Sequence, residues 1–119
     1  MLKYTEDHEW LRADGDEIAV GITKHASEQL GDVVFIELPE EGREVAAGEE
    51  VVVIESVKAA SDIVAPVAGT ITAVNSALAD APGDVNGDPM AAWFFKLKPA
   101  DAGAVEGFMD EDAYKALIG

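Results

Sequence analysis

Val51-Val52-Val53-Ile54-Glu55-Ser56-Val57-Lys58-Ala59-Ala60-Ser61-Asp62-Ile63-Val64-Ala65-Pro66 is the stretch whose reading decides the fold. Residues 51–54 and 63–67 are rich in β-branched side chains, which suit a pleated, half-buried surface, so each predicts a strand. Between them Ser56, Ala59, Ala60 and Ser61 are small, and Lys58 is the one long side chain with a reactive head. The pattern predicts a β-hairpin that offers Lys58 at its tip. No Asn-Gly or Asp-Gly pair marks the turn, so the hairpin rests on its strands rather than on turn chemistry.

An amine on a flexible stem among small residues can enter another enzyme's active site unobstructed. Lysine is also the side chain that takes acyl modification and loses its charge in doing so. The plain alternative is a solvated charge that keeps a hairpin tip in water. Local chemistry leaves both open.

Outward from the hairpin, 119 residues suit one domain around one core. An apolar fraction of 49% is that of a folded chain, and no apolar run is long enough to span a bilayer. Cysteine is absent, which removes disulfides, thiolate metal sites and cysteine nucleophiles. Twenty-four acids against eight bases give a net charge of -16. That balance argues against nucleic-acid or membrane partners and predicts a monomer steered toward basic patches, although it serves solubility equally well. Residues 1–4 run straight into patterned sequence without a charged-then-apolar leader. A bacterial cytoplasm is the expected location, with a processed mitochondrial-matrix chain as the alternative.

In chain order, residues 9–12 and 17–22 flank Asp14-Gly15-Asp16 and predict a second hairpin. Thr23 caps a helix over 24–30 that Gly31 ends. Residues 32–38 predict a strand with Val34, Ile36 and Leu38 on one face and Val33, Phe35 and Glu37 on the other. Turns follow at 39–42 and 47–49, and a strand at 70–74. Residues 77–89 have loop composition, 93–97 a last strand, and 99–107 a poor helix or an irregular link. Asp110 caps a final helix in which Ala113, Tyr114 and Leu117 pack on the body, so 99–119 forms a peripheral helical segment. Short strands between Gly and Pro turns predict a mainly β sandwich or small barrel.

Competing chemistries find no support. His8 and His25 lack metal-pair spacing. Asp84-x-Asn86-x-Asp88 has Pro89 where a calcium loop needs glycine and Phe95 where it needs its bidentate Glu. No phosphate-cradling loop or nucleophile elbow appears. A Schiff-base lysine needs an apolar pocket or a cationic neighbour, whereas Lys58 has Glu55 and Asp62 nearby.

Glu55-Ser56-Val57-Lys58-Ala59-Ala60-Ser61-Asp62 resembles the lipoyl-attachment motif of the glycine cleavage H-protein family. Further matching blocks run the length of the chain: His8-Glu9-Trp10, Val20-Gly21-Ile22-Thr23, residues 30–39, Ala65-Pro66-Val67-Ala68-Gly69, Val74-Asn75 and residues 85–89. The chain departs from the pattern at Met90-Ala91-Ala92, where relatives carry an aromatic residue and a glycine-containing turn.

The resemblance implies a barrel-sandwich hybrid of antiparallel strands, like lipoyl and biotinyl domains, and a carrier rather than a catalyst. It implies lipoic acid in amide linkage on Lys58, attached by a lipoate ligase or octanoyltransferase that recognises Glu55, Ser56, Val57 and Ala59. The arm would take an aminomethyl group from a pyridoxal-phosphate glycine decarboxylase and pass its methylene to a folate-dependent aminomethyltransferase. Dihydrolipoamide dehydrogenase would then reoxidise it. Asp7, His8, Glu9 and Asp62 would line a cleft that holds the cationic amine; Trp10 is expected to pack. A lipoate relay, or an unmodified interaction protein of the same fold, is the alternative. A biotin carrier would place methionines where Val57 and Ala59 stand.

Overall fold

The computed structural model describes residues 2–101 and 103–118. Its elements, in order, begin with β1 (Leu2–Tyr4), β2 (Glu9–Asp14), β3 (Glu17–Ile22), α1 (Lys24–Leu30) and β4 (Val33–Glu37). Next come β5 (Glu44–Val45), β6 (Glu50–Ser56), β7 (Ala60–Val64), β8 (Gly69–Val74), α2 (Ser76–Asp80) and α3 (Asp84–Gly87). β9 (Phe95–Pro99), a 3-10 turn (Ala104–Gly107) and α4 (Glu111–Ile118) complete the chain. All strand pairs are antiparallel, in a six-stranded sheet ordered β1-β2-β3-β9-β8-β5 and a three-stranded sheet ordered β4-β6-β7. This is the expected barrel-sandwich hybrid.

The two sheets bury one apolar core in which Leu11, Val20, Val52, Ile71, Phe94 and Leu97 are completely enclosed. A smaller cluster of Tyr4, Trp10, Ala19 and Tyr114 joins β1–β3 to α4. Trp10 is fully buried, as packing predicts, and its partner across the ladder is Gly21. A Cβ at Gly21 would enter the Trp10 ring, so only glycine lets the indole lie flat on β3. The indole Nε1–H donates to Pro89 O at 3.0 Å, which closes the 90–92 segment over the sheet.

Local signals held where the chemistry is local. Thr23 accepts from the Ala26 amide and caps α1, and Gly31, at φ 73°, ends it. Five expectations need correction. The alternation assigned to 32–38 breaks at a β-bulge between Val33 and Phe35, so Val34 and Phe35 are both exposed while Val33 and Ile36 are buried. The hairpin strands run closer to Lys58 than composition indicates, to Ser56 and from Ala60. Residues 77–89 hold two short helices, pinned by buried Leu78 and Val85. The last strand begins at Phe95 because Trp93 packs against the Tyr4–Trp10 cluster instead. In α4 only Tyr114 is buried; Leu117 is 52% exposed and Ala113 faces water. Strands β1 and β5 carried no clear sequence signal.

Candidate functional site: the lysine hairpin and an acidic cleft

Ser56 supplies what the missing turn dipeptide does not. Its hydroxyl donates to Ala59 O at 2.9 Å and accepts from the Lys58 and Ala59 amides at 3.3 and 3.1 Å. The Ser56 amide closes the same turn onto Ala59 O at 2.8 Å. One small side chain therefore orders the tip and leaves Val57, Lys58 and Ala59 exposed.

The tip is anchored as well as folded. The Val57 amide donates to Asp32 O at 3.0 Å, tying it to the corner between α1 and β4. Asn86 braces that corner from behind: its Oδ1 accepts from Val33 N at 2.9 Å, and its Nδ2 donates to Gly31 O at 2.7 Å and Ser27 Oγ at 3.3 Å. The Lys58 stem lies along Gly31, where an added Cβ would stand 3.1 Å from its Cε. Glu55 is exposed and pairs across the ladders with Phe35 and Ala60; Asp62 is exposed and pairs with Val53.

Beside the hairpin opens a cleft of about 350 Å³ between the start of β2, α1 and β7. Asp7, His8, Glu9 and Asp62 all line it, with Leu30 and Ile54 among its apolar walls. The structure thus brings Asp62 of β7 beside the consecutive Asp7, His8 and Glu9. Glu9 also borders a second cavity of about 330 Å³ on its other side, toward Thr5 and Phe108.

Glu9 is only 2% exposed. Its Oε1 accepts from Thr5 Oγ1 at 3.3 Å, and that hydroxyl accepts the Glu9 amide at 3.2 Å. Its Oε2 is buried with no protein partner. Burial, reinforced by the Asp7 charge and only partly offset by Thr5 and the Val64 amide, pushes the carboxyl up to about 8. At neutral pH it holds its proton, and a cation placed against Oε2 would favour the ionised form.

His8 occupies the left-handed region at φ 65°, which an L-residue seldom adopts. Its ring meets Tyr114 Oη at 2.8 Å, and Tyr114 Oη meets Thr23 Oγ1 at 2.7 Å. The His25 ring lies 4.7 Å from that of His8. Burial first, then the His25 charge, lowers the His8 pKa against an opposing pull from Asp7. The two histidines meet after all, yet no group of three metal-ligating side chains forms among the described residues. Thr5, Asn86 and Tyr114 carry no sequence signal for these roles. Tyr114 is 106 residues from His8, and only the folded chain pairs them.

The family model described as "Glycine cleavage H-protein" matches residues 2–119. A "Glycine cleavage system H protein" of Aromatoleum aromaticum is 58% identical over 118 residues, covering 98% of this chain and 92% of that one. Its counterpart in Azoarcus sp. is 59% identical, covering 98% and 93%. The crystal structure of a glycine cleavage system H protein from Mycobacterium marinum superposes with a TM-score of 0.89 at 41% identity, over 99% of this chain and 96% of that one. The chain belongs to the glycine cleavage H-protein family.

Proposed function

We propose that Lys58 carries lipoic acid in amide linkage and that the chain works as the mobile-arm carrier of glycine cleavage. The observation that supports this most is the pairing of an exposed amine on an ordered tip with a neighbouring cleft bordered by the buried Glu9 carboxyl. The residues present fit the group. Val57, Lys58 and Ala59 are exposed to a modifying enzyme, although the Lys58 stem rests on Gly31, and Glu55 flanks them in the open.

When bound, the dithiolane supplies the disulfide that accepts an aminomethyl group and is later regenerated by oxidation. The protein supplies position and shelter. Glu9 borders the cleft, and a cationic amine bound beside it would lower its pKa and let it give up its proton. Asp7 and Asp62 add negative charge at the same cleft, and His8, turned to Tyr114, fixes the wall next to Glu9. A tethered group held there is shielded from bulk water and stays at high effective concentration for each partner.

The partners we assign are a pyridoxal-phosphate glycine decarboxylase, a folate-dependent aminomethyltransferase, dihydrolipoamide dehydrogenase, and the lipoate ligase or octanoyltransferase that loads Lys58. The chain acts as a monomer in the cytoplasm; the relatives compared are bacterial, and no described helix is long and apolar enough to cross a membrane. The test is reconstitution with glycine and the three partner enzymes after lipoylation. Wild type should support glycine-dependent ammonia release and Lys58→Arg should not. Equal turnover by both would reject the assignment.

A further inference from the structure

Three of the exposed large apolar side chains sit around the lysine tip: Val57 at 66%, Val34 at 57% and Phe35 at 46%. The β-bulge between Val33 and Phe35 explains two of them, because the extra residue turns both Val34 and Phe35 away from the core. Phe35 pairs directly with Glu55 across the ladder, and the Val57 amide is bonded to Asp32, two residues before Val34. The three therefore belong to one edge of the small sheet, where β4 is the terminal strand. Exposed acids rim it: Asp32, Glu37 and Glu55. The Lys58 stem lies along Gly31, so the amine leans toward this same corner.

We propose that the Val34–Phe35–Val57 patch is the docking surface for the enzyme that acylates Lys58, and that this enzyme presents an apolar socket rimmed by Lys and Arg. The inference rests on the carrier reading above and extends recognition from the hairpin to β4. Reach selects the occupant. The acylating enzyme must bring Nζ itself to an activated acyl carbonyl, carried as an adenylate or thioester. The neutral amine attacks there, and the new C–N bond forms as the C–O or C–S bond breaks. AMP or the thiol departs with the electron pair, and the proton lost from Nζ passes to a base of the enzyme or to water. Such an enzyme must close around the tip, and this patch borders it: Val57 precedes Lys58 in the turn, its amide is held by Asp32, and Phe35 faces Glu55 across the ladder. Enzymes that act on the far end of a finished arm have no such constraint. Charge agrees: a chain of net charge -16 with acids on the patch rim is complementary to a basic rim. Apolar anchors within a polar rim concentrate binding energy.

The experiment uses the full unmodified chain, a purified lipoate ligase, lipoate, ATP and Mg²⁺, with acylation followed by intact mass. Phe35→Ser, Val34→Ser and Val57→Ser should each lower kcat/KM by about tenfold or more, chiefly through KM. Glu37→Lys should lower it too and weaken its salt dependence. Leu117→Ser, an exposed apolar site on α4, should keep the wild-type rate. Thermal melts confirm folding, and Val34→Thr and Val57→Thr replace any serine variant that melts early. Patch variants that fold and acylate at the wild-type rate overturn the proposal. So does normal acylation with slowed aminomethyl loading or reoxidation, which would give the patch to a later partner. A wild-type chain that the ligase never acylates at Lys58 overturns the carrier reading and the docking surface with it.

Discussion

Replacing Glu9 with glutamine should make the protein's stability less dependent on pH, and the structure sets both the size and the window. The Glu9 carboxyl is buried beside Asp7 and titrates near 8 in the fold, against an ordinary value of 4.5. Below about pH 4.5 it is protonated in both folded and unfolded chains and contributes no pH dependence. Between 4.5 and 8 the unfolded chain has lost a proton that the folded chain keeps. Stability therefore falls by ~1.4 kcal/mol per pH unit over that window. Above 8 the penalty is complete, on the order of 5 kcal/mol. This is comparable with the whole stability of a small domain, about 5–15 kcal/mol. Glutamine removes the titration, though its amide NH₂ inherits the unpartnered place of Oε2 at a roughly constant cost of 1–3 kcal/mol. The informative quantity is thus the slope of the difference between variants. Urea unfolding of wild type and Glu9→Gln from pH 4 to 9 should give a stability difference that shifts steadily toward the variant between 4.5 and 8, then levels. A flat difference across that range, or a Glu9 carboxyl resonance titrating near 4.5, would refute the reasoning.

Other perturbations probe the frame around the site. Asn86→Ala should cost about 2 kcal/mol, because the Val33 amide and Gly31 carbonyl lose their partner, and amide exchange at Val33 and Val57 should quicken. Gly21→Ala should cost about 3 kcal/mol by denaturant unfolding, since the new methyl collides with the immovable Trp10 ring. Tyr114→Phe should cost about 1–2 kcal/mol and speed exchange in α4, because the hydroxyl joining His8 to Thr23 is lost.

How much of this was legible depended on how local the cause is. α1 was readable because Thr23 and Gly31 act within a turn of their own positions. The second hairpin was readable from Asp14-Gly15, whose glycine takes φ 65°. The β4 bulge was not, since it arises from how Val33 and Phe35 pair with Ser56 and Glu55. Two-residue β5 is a strand only because β8 lies beside it. α2 and α3 are too short to be stable alone, and the burial of Leu78 and Val85 overrides the loop signals of Pro82, Gly83, Gly87 and Pro89 in and around them. At the site, Lys58 stood out because small residues surround it. The common cleft for Asp7, His8, Glu9 and Asp62 came from family resemblance, because no spacing in the chain brings β2 to β7. The burial of Glu9 and its contact with Thr5 became visible only in the fold.

The most direct measurement is fragment mass spectrometry of the chain after exposure to a lipoylating enzyme, with Lys58→Arg alongside. One lipoyl amide on the peptide containing Lys58, and none on the arginine variant, is the predicted result. A bare Lys58, or the same added mass on another lysine in both proteins, would contradict the account.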